Sequence, residues 1–355
     1  YTGEDTLSLH DALPISGVAE PCLIIAAHPE EANNLTLKGR TIAVISDGSA
    51  VLGLGNIGPY GALPVMEGKA LIFKQMANVD AWPIVLDTQD PEEIIRVVRA
   101  IAPSFGGINL EDIAAPQCFQ IEEALVKELD IPVMHDDQHG TAIVVLAGLI
   151  NAATVVKKNI KKLRVVISGA GAAGTAVAML LRAYGIADII VLDRAGALYT
   201  RREGLQGPKA LLAKNTNPRK VRGDLATVLP GSDVFIGVSG AGILSPEHVQ
   251  SMSKNAIVFA LANPVPEIMP DVARAAGAAV VATGRSDFPN QINNALVFPG
   301  VFRGAFDNKV QTITEEIKLR VAKALAKLVE KPTPTMIIPD ILDRRVVPTV
   351  AKAVR

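Results

Sequence analysis

Cysteine and aromatic residues are both scarce in this 355-residue sequence. The two cysteines, Cys22 and Cys118, lie far apart and without the Cys-x-x-Cys spacing of a metal or redox motif. A disulfide framework is therefore not expected, and the composition is typical of a reducing compartment. Aromatic residues make up 4% of the chain and hydrophobic residues 49%, so the cores must consist mainly of Ala, Val, Ile and Leu.

Net charge and long hydrophobic runs are also nearly absent. The 35 Lys and Arg residues almost cancel the 36 Asp and Glu residues, which leaves a net charge of -1 and no electrostatic case for a nucleic acid or membrane partner. The longest apolar stretch, residues 141–153, is too short for a membrane span and contains Asn151. No segment has the order of a signal peptide. We therefore expect a cytoplasmic protein.

The first 16 residues differ from the rest of the chain. The sequence begins with Tyr1 rather than methionine, and residues 1–16 show no clear helical or strand period. We expect this segment to be a non-native leader, with an ordinary flexible terminus as the alternative.

Short runs rich in Val and Ile alternate with helix-length segments from there on, which predicts an α/β fold. The later strands are nearly all apolar, as is typical of parallel strands covered on both faces, and they predict a doubly wound sheet. We place the domain boundary in a long helix between the two halves, giving domains at residues 17–148 and 149–355. The strands are predicted at residues 41–46, 83–87, 107–110, 132–135, 163–168, 188–193, 233–238, 256–262 and 278–283. The helices are predicted at residues 68–76, 91–102, 119–129, 141–158 and 313–329.

A Gly-x-Gly-x-x-Gly motif follows the first strand of the second half. Its members are Gly169, Ala170, Gly171, Ala172, Ala173 and Gly174. The glycines suit a tight turn, a close approach of backbone to a pyrophosphate and close packing of helix on strand, so the motif predicts a dinucleotide site.

Asp193 ends the next strand, where a carboxylate would bond the adenosine ribose. This favours NAD, but Arg194 follows at once and is compatible with the 2′-phosphate of NADP. A second match, residues 53–58, has a turn-like context and is followed by Pro59. We interpret it as a tight turn that brings backbone close to the ligand cleft.

Two pairs of carboxylates lie at strand ends in the first half. Glu111 and Asp112 follow one strand, and Asp136 and Asp137 follow another. Adjacent carboxylates repel each other unless a cation joins them, and oxygen ligands suit Mg²⁺ or Mn²⁺. A single pair of this kind is more often a capped turn or a solvated loop. The neighbouring His135 and His139 are better explained by core or hydrogen-bonding roles than as ligands.

Further polar residues are candidates for substrate chemistry. Lys69 is predicted near the start of a helix, where the helix dipole and a nearby metal would lower its pKa and make it a usable base. An exposed surface lysine is the ordinary alternative. Asn263, Asn293 and Asn294 lie in turns and suit carboxylate or hydroxyl groups, although a structural role is a serious rival.

The ordered motifs resemble those of malic enzymes, in particular the small bacterial type, from about residue 17 to the C-terminal end. The segments that carry the resemblance are residues 17–22, 46–55, 63–70, 105–112, 135–141 and 298–304. The resemblance implies an N-terminal α/β malate-binding catalytic domain, followed by a Rossmann-type NAD(P)-binding domain with a C-terminal helical tail. It also implies a homodimer that oxidises malate and decarboxylates it to pyruvate.

The resemblance also implies roles for individual residues. Lys69, with Asp136 beside it, corresponds to the general base system for the malate hydroxyl. The divalent-metal ligands correspond to Glu111, Asp112 and Asp137, and the metal would be Mn²⁺ or Mg²⁺. Asn263 and Asn294 match substrate-contacting asparagines, and Asn263 also matches a residue that approaches the nicotinamide.

One position departs from the family pattern. The family has a tyrosine three residues before the Gly-Val-Ala segment, as the acid that protonates the enol intermediate, but this sequence has Pro14 there, followed by Ile15 and Ser16. The resemblance therefore implies impaired enol protonation in the chain as written.

Three alternatives stay open at this point. A malolactic-type enzyme would release lactate with no net reduced cofactor, and a non-catalytic binder would hold malate or nucleotide without turnover. A Rossmann dehydrogenase without a metal would have no need for Glu111, Asp112 and Asp137 together.

Overall fold

The computed structural model describes residues 17–355, so the predicted leader and the departure at Pro14 lie outside the described residues. The first half contains a parallel sheet of four strands in the order β2-β1-β3-β4. Its strands are β1 (Thr41–Ser46), β2 (Asp80–Val85), β3 (Gly107–Leu110) and β4 (Val133–His135). Its helices are α1 (Ala19–Ala27), α2 (Ala32–Leu35), α3 (Gly58–Ala77), α4 (Pro91–Ile101) and α5 (Gln117–Glu128). Short 3-10 turns occupy Pro29–Glu31, Leu37–Arg40 and Ala102–Ser104.

The long helix α6 (Asp136–Val155) leads into a six-stranded sheet of order β10-β9-β8-β5-β6-β7, parallel except for β7. Its strands are β5 (Arg164–Ser168), β6 (Asp188–Asp193), β7 (Gly196–Ala197), β8 (Val234–Gly237), β9 (Ala256–Ala260) and β10 (Ala278–Thr283). The helices are α7 (Ala172–Tyr184), α8 (Gly207–Asn215), α9 (Leu225–Val228), α10 (Pro246–Ser251), α11 (Pro270–Ala275), α12 (Phe298–Asp307), α13 (Glu315–Lys327) and α14 (Val346–Ala353). Further 3-10 turns lie at Ile160–Lys162 and Asn294–Leu296.

Both sheets are covered on both faces. Successive residues of β5 alternate between two apolar clusters, with Val165 and Ile167 in one and Val166 in the other. In β1, Ile42 and Val44 belong to the first of these clusters, while Ala43 and Ile45 belong to a third. This alternation arises because side chains of a strand point alternately to opposite faces of the sheet. The first cluster contains residues of both β1 and β5, so it runs through both halves of the chain. The predicted α/β fold with a doubly wound second sheet is confirmed.

Four predicted strands, residues 41–46, 107–110, 188–193 and 278–283, have the observed bounds. The helix predicted at residues 68–76 is wrong at its start, since α3 begins at Gly58 and continues through Pro64. A proline inside a helix removes one backbone hydrogen bond, but the buried face of α3, from Ala62 to Ala77, holds the helix together across it. Lys69 therefore lies in the middle of a helix, where the argument from the helix dipole does not apply.

Helix α6 begins at Asp136, directly after β4, five residues before its predicted start at residue 141. Among residues 17–355, α6 is the one helix long and apolar enough to cross a membrane, but 72% of its 18-residue apolar stretch is buried inside the protein. Asn151 within it donates to the carbonyl oxygens of Ala326 and Ile337, so the residue that interrupts the apolar run ties α6 to the C-terminal segment. These contacts are those of a core helix. The domain boundary predicted within α6 stays a prediction.

Candidate functional site

A cleft of about 630 Å³ lies where the carboxyl ends of strands from both sheets meet. The turn after β1 contributes Leu52 and Gly53, and the first turns of α6 contribute Asp137 and Thr141. The loop after β5 contributes residues 171–173, and further loops after β8, β9 and β10 complete the lining. Ligands of open α/β sheets bind in such a crevice beyond the carboxyl ends of the strands.

Three carboxylates meet at one end of this cleft. Glu111 and Asp112 follow β3, Asp137 lies in the first turn of α6, and β3 and β4 are neighbours in the sheet. One oxygen of each residue lies within 4.8 Å of the others. The backbone N–H of Asp112 donates to Oδ2 of Asp137 at 2.8 Å, which fixes the two loops relative to each other. The structure thus brings together the three acidic residues that the sequence proposed as metal ligands.

The electrostatics of this cluster favour a cation. Burial, reinforced by the charges of Asp137 and Glu111, raises the pKa of Asp112 to about 9. Burial also raises the pKa of Glu111 and of Asp137. Oδ2 of Asp112 is buried and has no hydrogen-bond partner among residues 17–355. Buried carboxylate oxygens normally have partners, so the donor set fits a divalent ion with oxygen ligands.

Lys69 reaches the same cluster from the middle of α3. Its Nζ lies 2.6 Å from Oδ2 of Asp136 and 2.6 Å from Oε1 of Glu111, and 4.2 Å from the ring centroid of Phe298. The side chain is not the ordinary surface lysine, because the residue is only 7% exposed. Burial alone lowers the pKa of Lys69, but Asp136, Glu111 and Asp137 outweigh it and raise the pKa above its ordinary value. The sequence analysis expected a lowered pKa for Lys69, but its contacts within residues 17–355 raise the pKa instead.

Asp136 is enclosed between Lys69 and the first turn of α6. Burial raises its pKa to about 8, and its Oδ1 has no hydrogen-bond partner among the described residues. A Cβ at Gly140 would collide with this oxygen, so only glycine fits one turn later in the helix. Gly140 thus leaves room for the carboxylate of Asp136.

The glycine loop after β5 has the geometry that its motif predicts. Gly169 has φ +120°, and a Cβ at Gly174 would meet the backbone of Gly169. A Cβ at Gly171 would meet nothing within 4 Å, so the backbone is open towards the cleft. Helix α7 begins at Ala172, which directs its first amides to the same space. Strand, loop and helix therefore form a site suited to a pyrophosphate.

Asp193 ends β6 as expected, but its carboxylate already has several partners. Nη2 of Arg202 donates to both oxygens, at 2.8 and 2.7 Å. Nζ of Lys209 donates to Oδ2 at 2.9 Å, and the backbone N–H of Ala195 donates to Oδ1 at 3.0 Å. Although partial burial raises the pKa of Asp193, the bonds from Lys209 and Arg202 outweigh it and leave the pKa below its usual value.

The three candidate asparagines all line the cleft. The side chain of Asn293 accepts the backbone N–H of Ala295, so its oxygen serves as a helix cap. Asn263 packs in space against two glycines. A Cβ at Gly53 would collide with its carbonyl oxygen, and a Cβ at Gly284 would collide with its Nδ2. The turn at residues 53–58 thus brings backbone close to the cleft, as predicted.

Glu122 is a buried residue that the sequence analysis missed. Its carboxylate accepts from the backbone N–H of His135, from Gln138 and from Nε2 of His139, and Lys318 of α13 contacts the other ring nitrogen of His139. Interaction with His139 overcomes burial and lowers the pKa of Glu122 to about 2. His139 therefore has the hydrogen-bonding role expected of it, and Glu122 supports the segment that carries Asp136 and Asp137.

Glu267 is a second missed residue, fully buried below the cleft. One carboxylate oxygen accepts the backbone N–H of Ser239 at 3.2 Å, and the other accepts that of Ala262 at 3.0 Å. It thereby joins the loops after β8 and β9, which both line the cleft. Its only sequence signal is a carboxylate among apolar residues close to the Asn263-Pro264 turn.

Two family models match the chain over most of its length. The model described as malic enzyme, N-terminal domain, matches residues 17–126, and the model described as malic enzyme, NAD binding domain, matches residues 138–355. The chain is 55% identical over 341 residues to an NAD-dependent malic enzyme from Geobacillus stearothermophilus, covering 95% of this chain and 71% of that protein. It is also 55% identical to a bifunctional malic/malolactic enzyme from Bacillus subtilis, covering 95% of this chain and 83% of that protein.

Solved structures show the same likeness. A crystal structure of NAD-dependent malic enzyme from Thermotoga maritima matches with a TM-score of 0.93 and 48% identity, covering 99% of this chain and 93% of that one. A malic enzyme from Entamoeba histolytica matches with a TM-score of 0.92 and 40% identity, covering 95% of this chain and 73% of that one.

Proposed function

Because the chain belongs to the malic enzyme family, we propose that it oxidises (S)-malate with NAD or NADP and decarboxylates the product to pyruvate and CO₂. One observation carries the proposal. A cluster of three carboxylates, Glu111, Asp112 and Asp137, borders through Asp137 the same cleft as the glycine loop, and Lys69 is in contact with the cluster. A dehydrogenase without a metal would have no need for that cluster.

Glu111, Asp112 and Asp137 would hold Mn²⁺ or Mg²⁺. The unpartnered Oδ2 of Asp112 and the raised pKa of all three carboxyl groups support this role. A divalent ion held there supplies Lewis-acid polarisation of the substrate oxygens and stabilises negative charge during decarboxylation.

Lys69 would accept the proton of the malate hydroxyl, with Asp136 as its hydrogen-bond partner at 2.6 Å. To act as a base it must first be neutral. Neutralising Glu111 and Asp137 would remove two of the three charges that raise the pKa of Lys69. Asp136, which is fully buried, would keep the amine oriented towards the cluster.

The remaining site residues would position the substrate and the nucleotide. Asn263 and Asn294 would hold malate oxygens, and Asn293 would contribute through its amide nitrogen, since its oxygen caps a turn. The loop from Gly169 to Gly174 would hold the pyrophosphate, and Asn263 would lie near the nicotinamide, which accepts a hydride when bound.

The test is a coupled assay with (S)-malate, Mn²⁺ and each nucleotide, following reduced nicotinamide and the organic acid produced. We expect reduced nicotinamide in the first turnover and pyruvate as the final product, both dependent on metal. The name of the Bacillus subtilis relative makes a malolactic reaction the second candidate. Lactate without net reduced nicotinamide would favour it. Binding of both ligands without turnover, even after Pro14→Tyr restores the family's tyrosine, would contradict both enzymatic functions.

The described first half of the chain exposes several large apolar side chains that a second copy could cover. Helix α1 has the sequence AEPCLIIAA and buries none of its residues, and Leu23 is 72% exposed. Tyr60 of α3 is 81% exposed, and Trp82 of the edge strand β2 is 57% exposed. Exposed apolar side chains mark an interaction surface where they lie together. We therefore propose a homodimer.

Sedimentation equilibrium of the intact chain tests the dimer. We expect twice the chain mass of 37.4 kDa, and weaker association for a Leu23→Glu, Trp82→Glu double variant. Substitution of the exposed Lys214 by glutamate, on α8, serves as the control for added charge. A monomer at micromolar concentration would contradict the proposal.

A cytoplasmic location is proposed on the free thiols of Cys22 and Cys118.

A further inference from the structure

The carboxylate of Asp193, next to the cleft-lining Arg194, has no acceptor position left for a ribose hydroxyl. Each oxygen of a carboxylate offers about two lone-pair sites. Oδ1 of Asp193 is occupied by Ala195 and Arg202, and Oδ2 by Arg202 and Lys209. The arrangement that favours NAD, a free carboxylate facing the 2′-hydroxyl, is therefore missing from this strand end.

Cations outnumber carboxylates around this position. Asp193 carries a single negative charge. It forms salt bridges with Arg202 and Lys209, and Arg194 follows it in the sequence. Arg202 is anchored, because its Nη1 also donates to the carbonyl oxygens of Gly196 and Ala197. An anionic group arriving here meets a net positive charge rather than an exposed carboxylate.

Two of these cations have donors to spare. Lys209 uses one of its three N–H groups on Asp193, and its side chain is 46% exposed. Arg194 lines the cleft beside the glycine loop and makes no salt bridge within residues 17–355. Guanidinium and ammonium groups are the usual partners of a phosphate dianion.

We infer that this chain uses NADP at least as well as NAD, with Arg194 and Lys209 binding the 2′-phosphate of the adenosine ribose. Asp193 holds Lys209 and Arg202 in place and does not accept from the ribose. The inference rests on the proposed function for its cofactor class and reverses the preference for NAD that the sequence alone suggested.

The test measures kcat/KM for NADP and for NAD in malate oxidation, together with the dissociation constants of NADPH and NADH from fluorescence. For the wild-type chain we expect a ratio of kcat/KM values, NADP over NAD, of at least one. Arg194→Ala and Lys209→Met should each lower that ratio, and the matching ratio of affinities, by about 10- to 100-fold, the usual effect of losing a hydrogen bond between charged groups. Lys214→Met, on the same helix α8 as Lys209, is the control and should leave both ratios unchanged.

Two results would overturn the inference: a wild-type preference for NAD, or variants that affect both nucleotides equally. Both kcat/KM values are measured on the same protein sample. A partial loss of folded protein therefore lowers both values equally and does not change their ratio. If NADPH binds with the expected selectivity but malate reduces neither nucleotide, the proposed function fails and the inference about the 2′-phosphate stands.

Discussion

Replacement of Lys69 by methionine is expected to reduce the rate of malate oxidation by about 10²- to 10⁴-fold, the usual contribution of a general base. Lys69 is the only amine in hydrogen-bonding contact with Asp136 and Glu111 among residues 17–355. Methionine is also unbranched, but it places no amine over the Phe298 ring and has no group that accepts the hydroxyl proton. The measurement is the single-turnover rate of reduced nicotinamide formation at saturating malate and metal.

Controls must separate chemistry from folding, because removing one partner of a buried ion pair is also destabilising. Lys74→Met lies on the same helix α3, where it breaks only a surface salt bridge to Asp80, and should leave the rate nearly unchanged. Binding of reduced nucleotide should persist in Lys69→Met, since the glycine loop belongs to the other sheet. A folded Lys69→Met protein that keeps more than about a tenth of the rate would rule out this role.

Loss of the divalent ion is the second large effect that we expect. Chelation with EDTA should abolish turnover, and Asp112→Asn or Asp137→Asn should each raise the Mn²⁺ concentration for half-maximal rate by at least about 10-fold. An amide is a weaker ligand than a carboxylate and leaves the ion with less compensating charge. The measurement is the initial rate against Mn²⁺ concentration, and Asp130→Asn, at an exposed carboxylate before β4, is the matched control.

Thermal stability gives the same prediction a readout that does not depend on turnover. Without metal, Asp112→Asn should melt at a higher temperature than the wild type, because it removes one of several buried, mutually repelling carboxylates. With Mn²⁺ the order should reverse, since the ion stabilises only the protein that binds it. Equal melting shifts with Mn²⁺ in both proteins would speak against these ligands.

The sequence was most informative where local chemistry and chain topology coincide. Apolar runs such as residues 188–193 predict buried parallel strands, and the strand ends then place Glu111 and Asp137 at one edge of a sheet. Asp90 caps α4 by accepting from the backbone N–H groups of Glu92 and Glu93, which are its near neighbours in the sequence. These features need only neighbours along the chain or adjacent strands.

Features decided by distant contacts could not be predicted in the same way. The burial of Lys69 depends on α3 continuing through Pro64 and on the side chain of Phe298, more than 200 residues later. The partners of Asp193, Arg202 and Lys209, lie 9 and 16 residues further along the chain. The dinucleotide motif includes only the strand and the acidic residue at its end, so it could not predict them. Glu122 and Glu267 have no motif, because their role is to hold backbone N–H groups of loops that the fold brings together.

Titration of Mn²⁺ followed by electron paramagnetic resonance tests the central claim most directly. The free ion gives a strong signal that weakens on binding, so the number of sites per chain can be counted without substrate or turnover. We expect one tight site in the wild-type chain and none in a Glu111→Gln, Asp112→Asn, Asp137→Asn variant that keeps its nucleotide affinity. Tight binding that survives in that variant would place the metal elsewhere and contradict the account.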